Sequence, residues 1–438
     1  MNRLVCAALV CAVVTAGAFA PAARSAPAPV LVTLKNGLRV VLAPDSAAAS
    51  VDVSVTYAAG ARTLPADQEG MRHVAERLMF LGGADGARAL ALTAEGGTAG
   101  SATTPDAVEF WETMPAEAIG LALRTEAARM APGRSAPEAF EVARRTAAAA
   151  ARARGQYSPL ATALTRLAAS VFAGEPYARP VFPTEAAIAS LQAEPVEAWR
   201  ASHLVPSAAV LTVVGRFEPQ ATLEVVRRTF EPLPRGAAAP APALPAPLRG
   251  ARRVRAASGS PATMLLAGWR VPGVGDPDAP AIDLLATAIG GGGESRIQRA
   301  LITEWKVATA AQCGVDRRRD GSMLWVAAAT AAGADSAEAE RVLLDAVGGL
   351  AREPLAARDF ERARAQLVTD ELFRAQDPHA RARAIAEAVL AGRAPESPET
   401  RAAAIARLSP ADLQRAARRV LDDGARTLLW LVPEGGAR

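Results

Sequence analysis

The chain runs through β-rich stretches and then helical stretches twice over. This predicts an α+β fold of two tandem homologous repeats, each a mixed or antiparallel sheet with helices packed on it. Three observations carry the prediction. Strand-like runs cluster early in each half and most helices come late, unlike the strict alternation of a parallel α/β sheet. Residues 233–250, LPRGAAAPAPALPAPLRG, alternate Pro and Ala near the middle of the chain, which makes an extended spacer with no capacity to form a core. Half of the 438 residues are apolar, enough for a large core on each side of that spacer. The expected division is a targeting segment at 1–26, a first domain at 28–232, the Pro/Ala linker at 233–250 and a second domain at 251–438.

In the first half, two β-rich runs in VLVTLKNGLRVVLAPD flank Asn36-Gly37, a hairpin signal. SVDVSVTYAAGAR, from Ser50, alternates as a strand does. A helix follows at 70–83 and a short one at 90–94, ending at Gly96-Gly97. TAGSATT and AVEFWETM read as strands on either side of Pro105, and three helices follow at 116–130, 137–154 and 159–172. AAVLTVVGRF is a buried strand and 219–230 a helix. The second half has strands in ARRVRAAS and TMLLAGWRV, a helix at 277–289, GGGG, and a helix from Ser295 with that serine at its N-cap. KVATAAQCGV and SMLWVAAAT are strands joined by a turn at Asp320-Gly321. Helices follow at 336–350, 356–373, 379–390, 398–408 and 410–421, and RTLLWLV closes the chain as a strand.

Composition narrows the classes. Basic residues are nearly all Arg and are interspersed with acids along helices such as AARDFERARAQL, the pattern of a solvated face. There is no aromatic stacking ladder and no nucleic-acid motif, so nucleic acid is not an expected partner. At the N-terminus Arg3 precedes the apolar stretch Leu4–Ala20, and small residues follow at Ala18, Ala20, Ala23, Ser25 and Ala26. That is the form of a cleaved export signal, cut between Ala20 and Ala26. No later stretch is long and apolar enough to span a bilayer, so the expectation is a soluble exported protein, periplasmic or secreted. Beyond the signal only Cys313 remains, which leaves no internal disulfide and reads as a core residue.

The stretch that carries chemistry is GMRHVAERLMFLGG, 70–83. Met71, Val74, Ala75, Leu78 and Met79 form one apolar stripe. His73, Glu76 and Arg77 fall together on another face. His-x-x-Glu is the start of H-x-x-E-H, in which two His hold zinc and the Glu activates its water; here the fifth position is Arg77. Gly290–Gly293 lacks the Lys-Ser/Thr of a phosphate loop, and SGSPAT at Ser258 is no nucleophile elbow.

With these residues in hand, the chain resembles the insulinase/pitrilysin/mitochondrial-processing-peptidase family of zinc peptidases, over nearly its whole length. LKNGLRVVLAPD is similar to the family's opening hairpin, and GMRHVAERLMFLGG to its motif helix. TAGSATTPDAVEFWETMP, GEPYARPVFPTEAAIASL, HLVPSAAVLTVVGRF and GGGGESRIQRAL match four further segments in order. The resemblance implies a clamshell of two repeats over a chamber that takes extended peptides. It also implies zinc as cofactor and pairing of unlike subunits.

The ligands that the resemblance calls for are largely missing. His73 matches the first zinc ligand and Glu76 the general base. Arg77 replaces the second ligand with a guanidinium that has no lone pair to give. At about 4 Å and an effective dielectric near 20, a unit pair of like charge costs about 4 kcal/mol, so a dication would meet about 8 kcal/mol of repulsion. The third ligand should be a Glu near Ala149 or Ala150, yet no Asp or Glu occurs between Glu141 and Glu175. Glu141 lies eight residues early, roughly 12 Å along a helix. His203 and His379, the other histidines, read as a structural residue and a surface or helix-start residue. The family's edge-strand Asn is absent from Gly100-Ser101-Ala102-Thr103, and its substrate-gripping Arg and Tyr fall on Ile302 and Thr309. The expectation is thus no bound metal, Arg77 filling the vacated position against a carboxylate such as Glu76, and a non-catalytic subunit that pairs with an active zinc-bearing homologue. Two alternatives stand beside it: an active zinc metalloendopeptidase with an atypical site, and a scaffold or peptide-binding module.

Overall fold

The computed structural model describes residues 27–60, 64, 69–81, 85–237, 250–260 and 262–433. The targeting segment, linker residues 238–249, the end of the motif stretch at 82–83 and Pro261 of SGSPAT lie outside them. The first half contains β1 (Val30–Thr33), β2 (Arg39–Pro44), β3 (Ser50–Tyr57), α1 (Met71–Leu81), α2 (Asp85–Ala94), β4 (Thr98–Thr103) and β5 (Val108–Pro115). It continues with α3 (Ile119–Met130), α4 (Pro137–Tyr157), α5 (Pro159–Val171), α6 (Glu185–Ala189), α7 (Ala193–His203), β6 (Ala209–Gly215) and α8 (Pro219–Phe230). The second half contains β7 (Arg252–Ser258), β8 (Met264–Val271), α9 (Ala279–Gly290), α10 (Arg296–Gln298), β9 (Ala308–Asp316) and β10 (Ser322–Thr330). Then come α11 (Ser336–Arg352), α12 (Ala357–Gln376), α13 (Pro378–Leu390), α14 (Pro398–Ala406), α15 (Pro410–Val420) and β11 (Arg426–Pro433).

The first sheet has the order β1-β2-β6-β3-β5-β4 and the second β7-β11-β8-β10-β9. Without β1 the two match strand for strand. In both, the first and last strands of the repeat pair parallel, and every other pairing is antiparallel. This is the α+β tandem repeat that the sequence predicts. The opening hairpin forms as expected. Gly37 takes φ +86°, a backbone that glycine adopts without penalty. The Asn36 amide donates to the carbonyls of Phe230 (2.7 Å) and Leu233 (3.2 Å), tying the hairpin to the end of α8.

Each sheet buries one face against helices of its own half. Val40, Leu42, Val53, Val55 and Leu211 share a core with α1, α3 and α4, and Leu265, Ala267, Leu324, Val326 and Leu428 share one with α9, α11 and α15. The opposite faces are covered by exchange. α5 of the first half lays Ala163, Leu167, Ala168 and Val171 on Met264, Leu266, Met323, Leu429 and Leu431 of the second sheet. α13 of the second half lays Ala382, Ile385, Ala386 and Val389 on Val41, Ala43, Val210 and Val214 of the first. Gly268 makes the first contact possible, since a Cβ there would stand 2.9 Å from Val171. Polar bonds lock the same junction. Arg318, 2% exposed, donates to the Tyr177 carbonyl (2.7 Å) and pairs with Asp316 (2.6 Å), and the Arg319 amide donates to Asp106 (2.8 Å).

Some elements differ from the sequence expectation. α6 falls in a segment read only as a family match, and α7 in a stretch given no element; Pro195 sits in the first turn of α7, where a missing N–H costs nothing. The helix expected from Ser295 is one α turn followed by a π-helical turn, Arg299–Glu304. Ser295 occupies the N-cap, but its buried hydroxyl makes no capping bond. Cys313, expected as a core residue, is half-buried on β9 and packs against the second core, with its thiol pushed up by burial.

Candidate functional site

α1 starts at Gly70, whose φ is +88° and where a Cβ would meet Ile188 at 2.9 Å. The expected stripe, Met71, Val74, Ala75, Leu78 and Met79, is buried in the first core. Glu76 is also buried, at 2% exposure, so its carboxylate needs partners. They come from β4: Ser101 donates to Oε1 (2.7 Å) and Thr103 to Oε2. Two strand residues apart, these hydroxyls share one face. Burial alone would push the Glu76 carboxyl up. The bond and charge of His73, with the Thr103 and Ser101 hydroxyls, outweigh that and hold it below the usual value.

His73 is turned to a backbone carbonyl. Its Nε2 lies 2.6 Å from Val181 O, so that nitrogen carries the proton. Nδ1 is 3.7 Å from Glu76 Oε2, and the ring stacks on Phe182 at 5.5 Å. The Arg154 guanidinium lies 3.4 Å from the centre of the Phe182 ring. Arg77 keeps a third of its side chain exposed and brings Nη2 to 4.0 Å from Glu76 Oε1, a loose pair that uses the carboxylate expected of it.

α4 packs on α1. Ala149 and Ala150, the expected third-ligand positions, are exposed. The face of α4 in the core carries Phe140, Ala143 and Ala147, with Ala148 and Ala151 packed beside them and no carboxylate among them. Glu141 pairs with Arg144 (2.7 Å) on its own helix. Of the positions matching the family's substrate grip, Ile302 packs against the second core in the π turn, and Thr309 is exposed on the edge strand β9.

Sequence reasoning missed Arg72. It is 1% exposed, donates to the Thr104 carbonyl (2.6 Å), and has its pKa lowered to about 10 by burial, so it remains charged at neutral pH. Asp106 and Glu76 supply the balancing charge. His203 is structural, stacked on Trp199 at 4.9 Å. His379 opens α13, as expected of a helix-start residue, but it faces inward: it stacks on Trp111 at 4.2 Å, and its Nδ1 is 3.6 Å from Asp52 Oδ2.

The residues present do not fit a zinc ion. One imidazole nitrogen is committed to a carbonyl, the general-base carboxylate has both oxygens engaged, and a guanidinium occupies the second ligand position. Among the described residues no group of three or more His, Cys, Asp or Glu is placed to hold a metal.

Fold and site together define two tandem α+β repeats whose helix α1 carries an incomplete H-x-x-E-H motif. Residues 190–367 match the family described as Peptidase M16 inactive domain. The chain is similar to zinc protease PqqE of Helicobacter pylori, 24% identical over 306 residues, 68% of this chain and 69% of the relative. A solved protease from Helicobacter pylori superposes with a TM-score of 0.83 at 20% identity, covering 93% of this chain and all of that one. A chain of complex III2 from Candida albicans with Inz-5 bound does so at 0.77 and 17% identity, covering 92% and 95%. These matches support the resemblance to the M16, or insulinase-type, peptidases read from the sequence, through residues 190–367 and through a shared fold over nearly the whole chain.

Proposed function

We propose that this chain is the exported, non-catalytic subunit of a peptidase pair, which binds a zinc-bearing homologue and completes a chamber that holds extended peptides. The observation that carries this reading is Glu76. In a zinc peptidase of this type the carboxylate must take a proton from metal-bound water. Here it is buried, depressed in pKa and held by Ser101 and Thr103, with Arg77 beside it where a ligand would be. The M16 inactive-domain match supports the non-catalytic part, and the likeness to a chain of complex III2 supports a place in an assembly. Among the described residues no helix is long and apolar enough to cross a membrane.

The test is purification from the native source, with metal analysis and a peptide-cleavage assay. The expected result is a zinc-bearing homologue that co-purifies, substoichiometric zinc in this chain alone, and cleavage only with the partner present. A stable monomer that never binds such a homologue would overturn the pairing. One zinc per chain, with chelator-sensitive cleavage abolished by Glu76→Gln, would establish an atypical peptidase instead.

A further inference from the structure

A cavity of ≈ 770 Å³ lies between the two halves, within the range of about 300–1,000 Å³ typical of small-molecule sites. Its wall runs from β3 and β5 across α5 to the β9–β10 turn, α12, α13 and the segment beyond α13. His73 and Glu76 are not part of this wall.

Two groups of opposite charge on the wall each hold a buried polar atom without a hydrogen-bond partner. Glu109, on β5, is 1% exposed; it has no hydrogen bond or ion pair among the described residues, and its Oε1 is fully buried. Arg393, just past α13, pairs with Glu396 through Nη1, but its buried Nε–H has no acceptor. A buried carboxyl without a donor and a buried guanidinium N–H without an acceptor each cost about 1–3 kcal/mol, which a ligand carrying the complementary groups would recover.

The spacing sets the ligand's length. Arg383 on α13 is the cation that acts most strongly on Glu109. From there the helix runs seven residues to Leu390, about 10 Å at 1.5 Å per residue. Gly392 then turns the chain at φ +75°, and the Arg393 amide bonds back to the Ala388 carbonyl (2.9 Å), which keeps Arg393 at that end of the helix. Roughly 10 Å is the reach of about three extended residues. Between the two ends α13 places Ala384, Leu390 and Glu387 on the wall, and Glu387 is paired with Arg383.

We propose that this inter-half cavity binds an elongated zwitterion, about three residues of extended chain in length, with its ammonium on Glu109 and its carboxylate on Arg393. A free α-amino acid is too short to meet both groups. The proposal uses this chain alone and does not depend on a peptidase partner.

Titration calorimetry on the full chain tests it with trialanine, 6-aminohexanoate, alanine, N-acetyl-trialanine and trialanine amide. Trialanine is expected to bind, with alanine and both capped peptides at least about tenfold weaker. Glu109→Gln, checked for a single cooperative melting transition, should erase the preference for a free amine, and Arg393→Gln the preference for a free carboxylate. Equal binding of 6-aminohexanoate would assign a general zwitterion site, and preference for trialanine a peptide site; both support the proposal. No saturable binding of any zwitterion at millimolar concentration, or capping preferences that survive in both variants, would overturn it.

Discussion

At the scale of single residues, the motif on α1 was readable and its surroundings were not. His73, Glu76 and Arg77 announce themselves by spacing. What decides the chemistry of Glu76 is a pair of hydroxyls on β4 and a carbonyl at Val181, 25, 27 and 108 residues from the residues they bond. The period-2 spacing of Ser101 and Thr103 was the available signal, since it puts two donors on one strand face; pairing that face with α1 needs the fold. The third-ligand helix shows the same limit. Composition established that no carboxylate is present, while which alanines of α4 face the core, Ala147 and not Ala149 or Ala150, came only from packing. Two outcomes follow for these residues. Thr103→Val removes a donor from a buried carboxylate and should lower stability by about 1–3 kcal/mol at neutral pH. Glu76 is depressed in the folded state, so its contribution is present above its ordinary value and is lost as pH falls through the folded one. The deficit of the variant should therefore be largest above pH ~5 and shrink in acid, as denaturant melts across that range will read. Arg77→His restores one ligand of the two that are missing. It should leave zinc binding weak in competition with a chelating dye, and tight binding by that single variant would show that a third ligand exists in the fold.

Among the elements, α13 draws the most from its setting. Its period-3.6 pattern was legible, but the surface it covers was not, because amphipathicity names an apolar face without naming the partner. The face of the first sheet beneath it is apolar on β2 and β6 and polar toward β5. Asp52 on β3 is fully buried and accepts from Ser54 and from Thr113 (2.8 Å). Glu109 and Trp111 on β5 lie beside it, facing His379, Arg383 and Glu387 of α13, with Asp377 at the helix N-cap. Burial raises the Glu109 carboxyl to about 7; Arg383 and His379 pull it down, and Glu387 and Asp52 push it up. Burial alone would lower His379, but Asp52, Glu109 and Asp377 raise it above its ordinary value. The signs agree. An acid raised in the folded state binds its proton more tightly there than when unfolded, so stability falls as pH rises from its ordinary value to about 7. A raised histidine loses its contribution as pH rises through its folded value. The protein should therefore lose stability between pH ~5 and ~8, by on the order of 2 kcal/mol. Glu109→Gln should flatten most of that slope and gain stability at pH ~8. Thermal melts of both proteins across the interval check it, and an unchanged slope in the variant would remove Glu109 from the account.

For the whole molecule, the tandem repeat was visible in the order of strands and helices and in the Pro/Ala spacer, and the matching sheet orders bear it out. The exchange of α5 and α13 was invisible, because each reads locally as a helix of its own repeat. Its energetic consequence is large. Without the second half, the first sheet exposes Val41, Val210 and Val214, and α5 exposes Leu167 and Val171. At about 1.5–3 kcal/mol for each buried aliphatic side chain, those five residues account for about 7–15 kcal/mol, comparable with the entire stability of a typical domain. The polar lock fails with them, since Arg318 loses the Tyr177 carbonyl and Asp106 loses the Arg319 amide. Two repeats joined by a Pro/Ala spacer would ordinarily be expected to fold one at a time; here each supplies a wall of the other. A chain cut within 238–249 should therefore behave in two ways. Residues 27–237 or 250–433 expressed alone should bind a hydrophobic dye and show no cooperative melt, whereas the two expressed together should form a complex that melts in one calorimetric transition, as the intact chain should. A lone half that melts cooperatively without dye binding would show that the exchanged helices return to their own sheet when the other is absent.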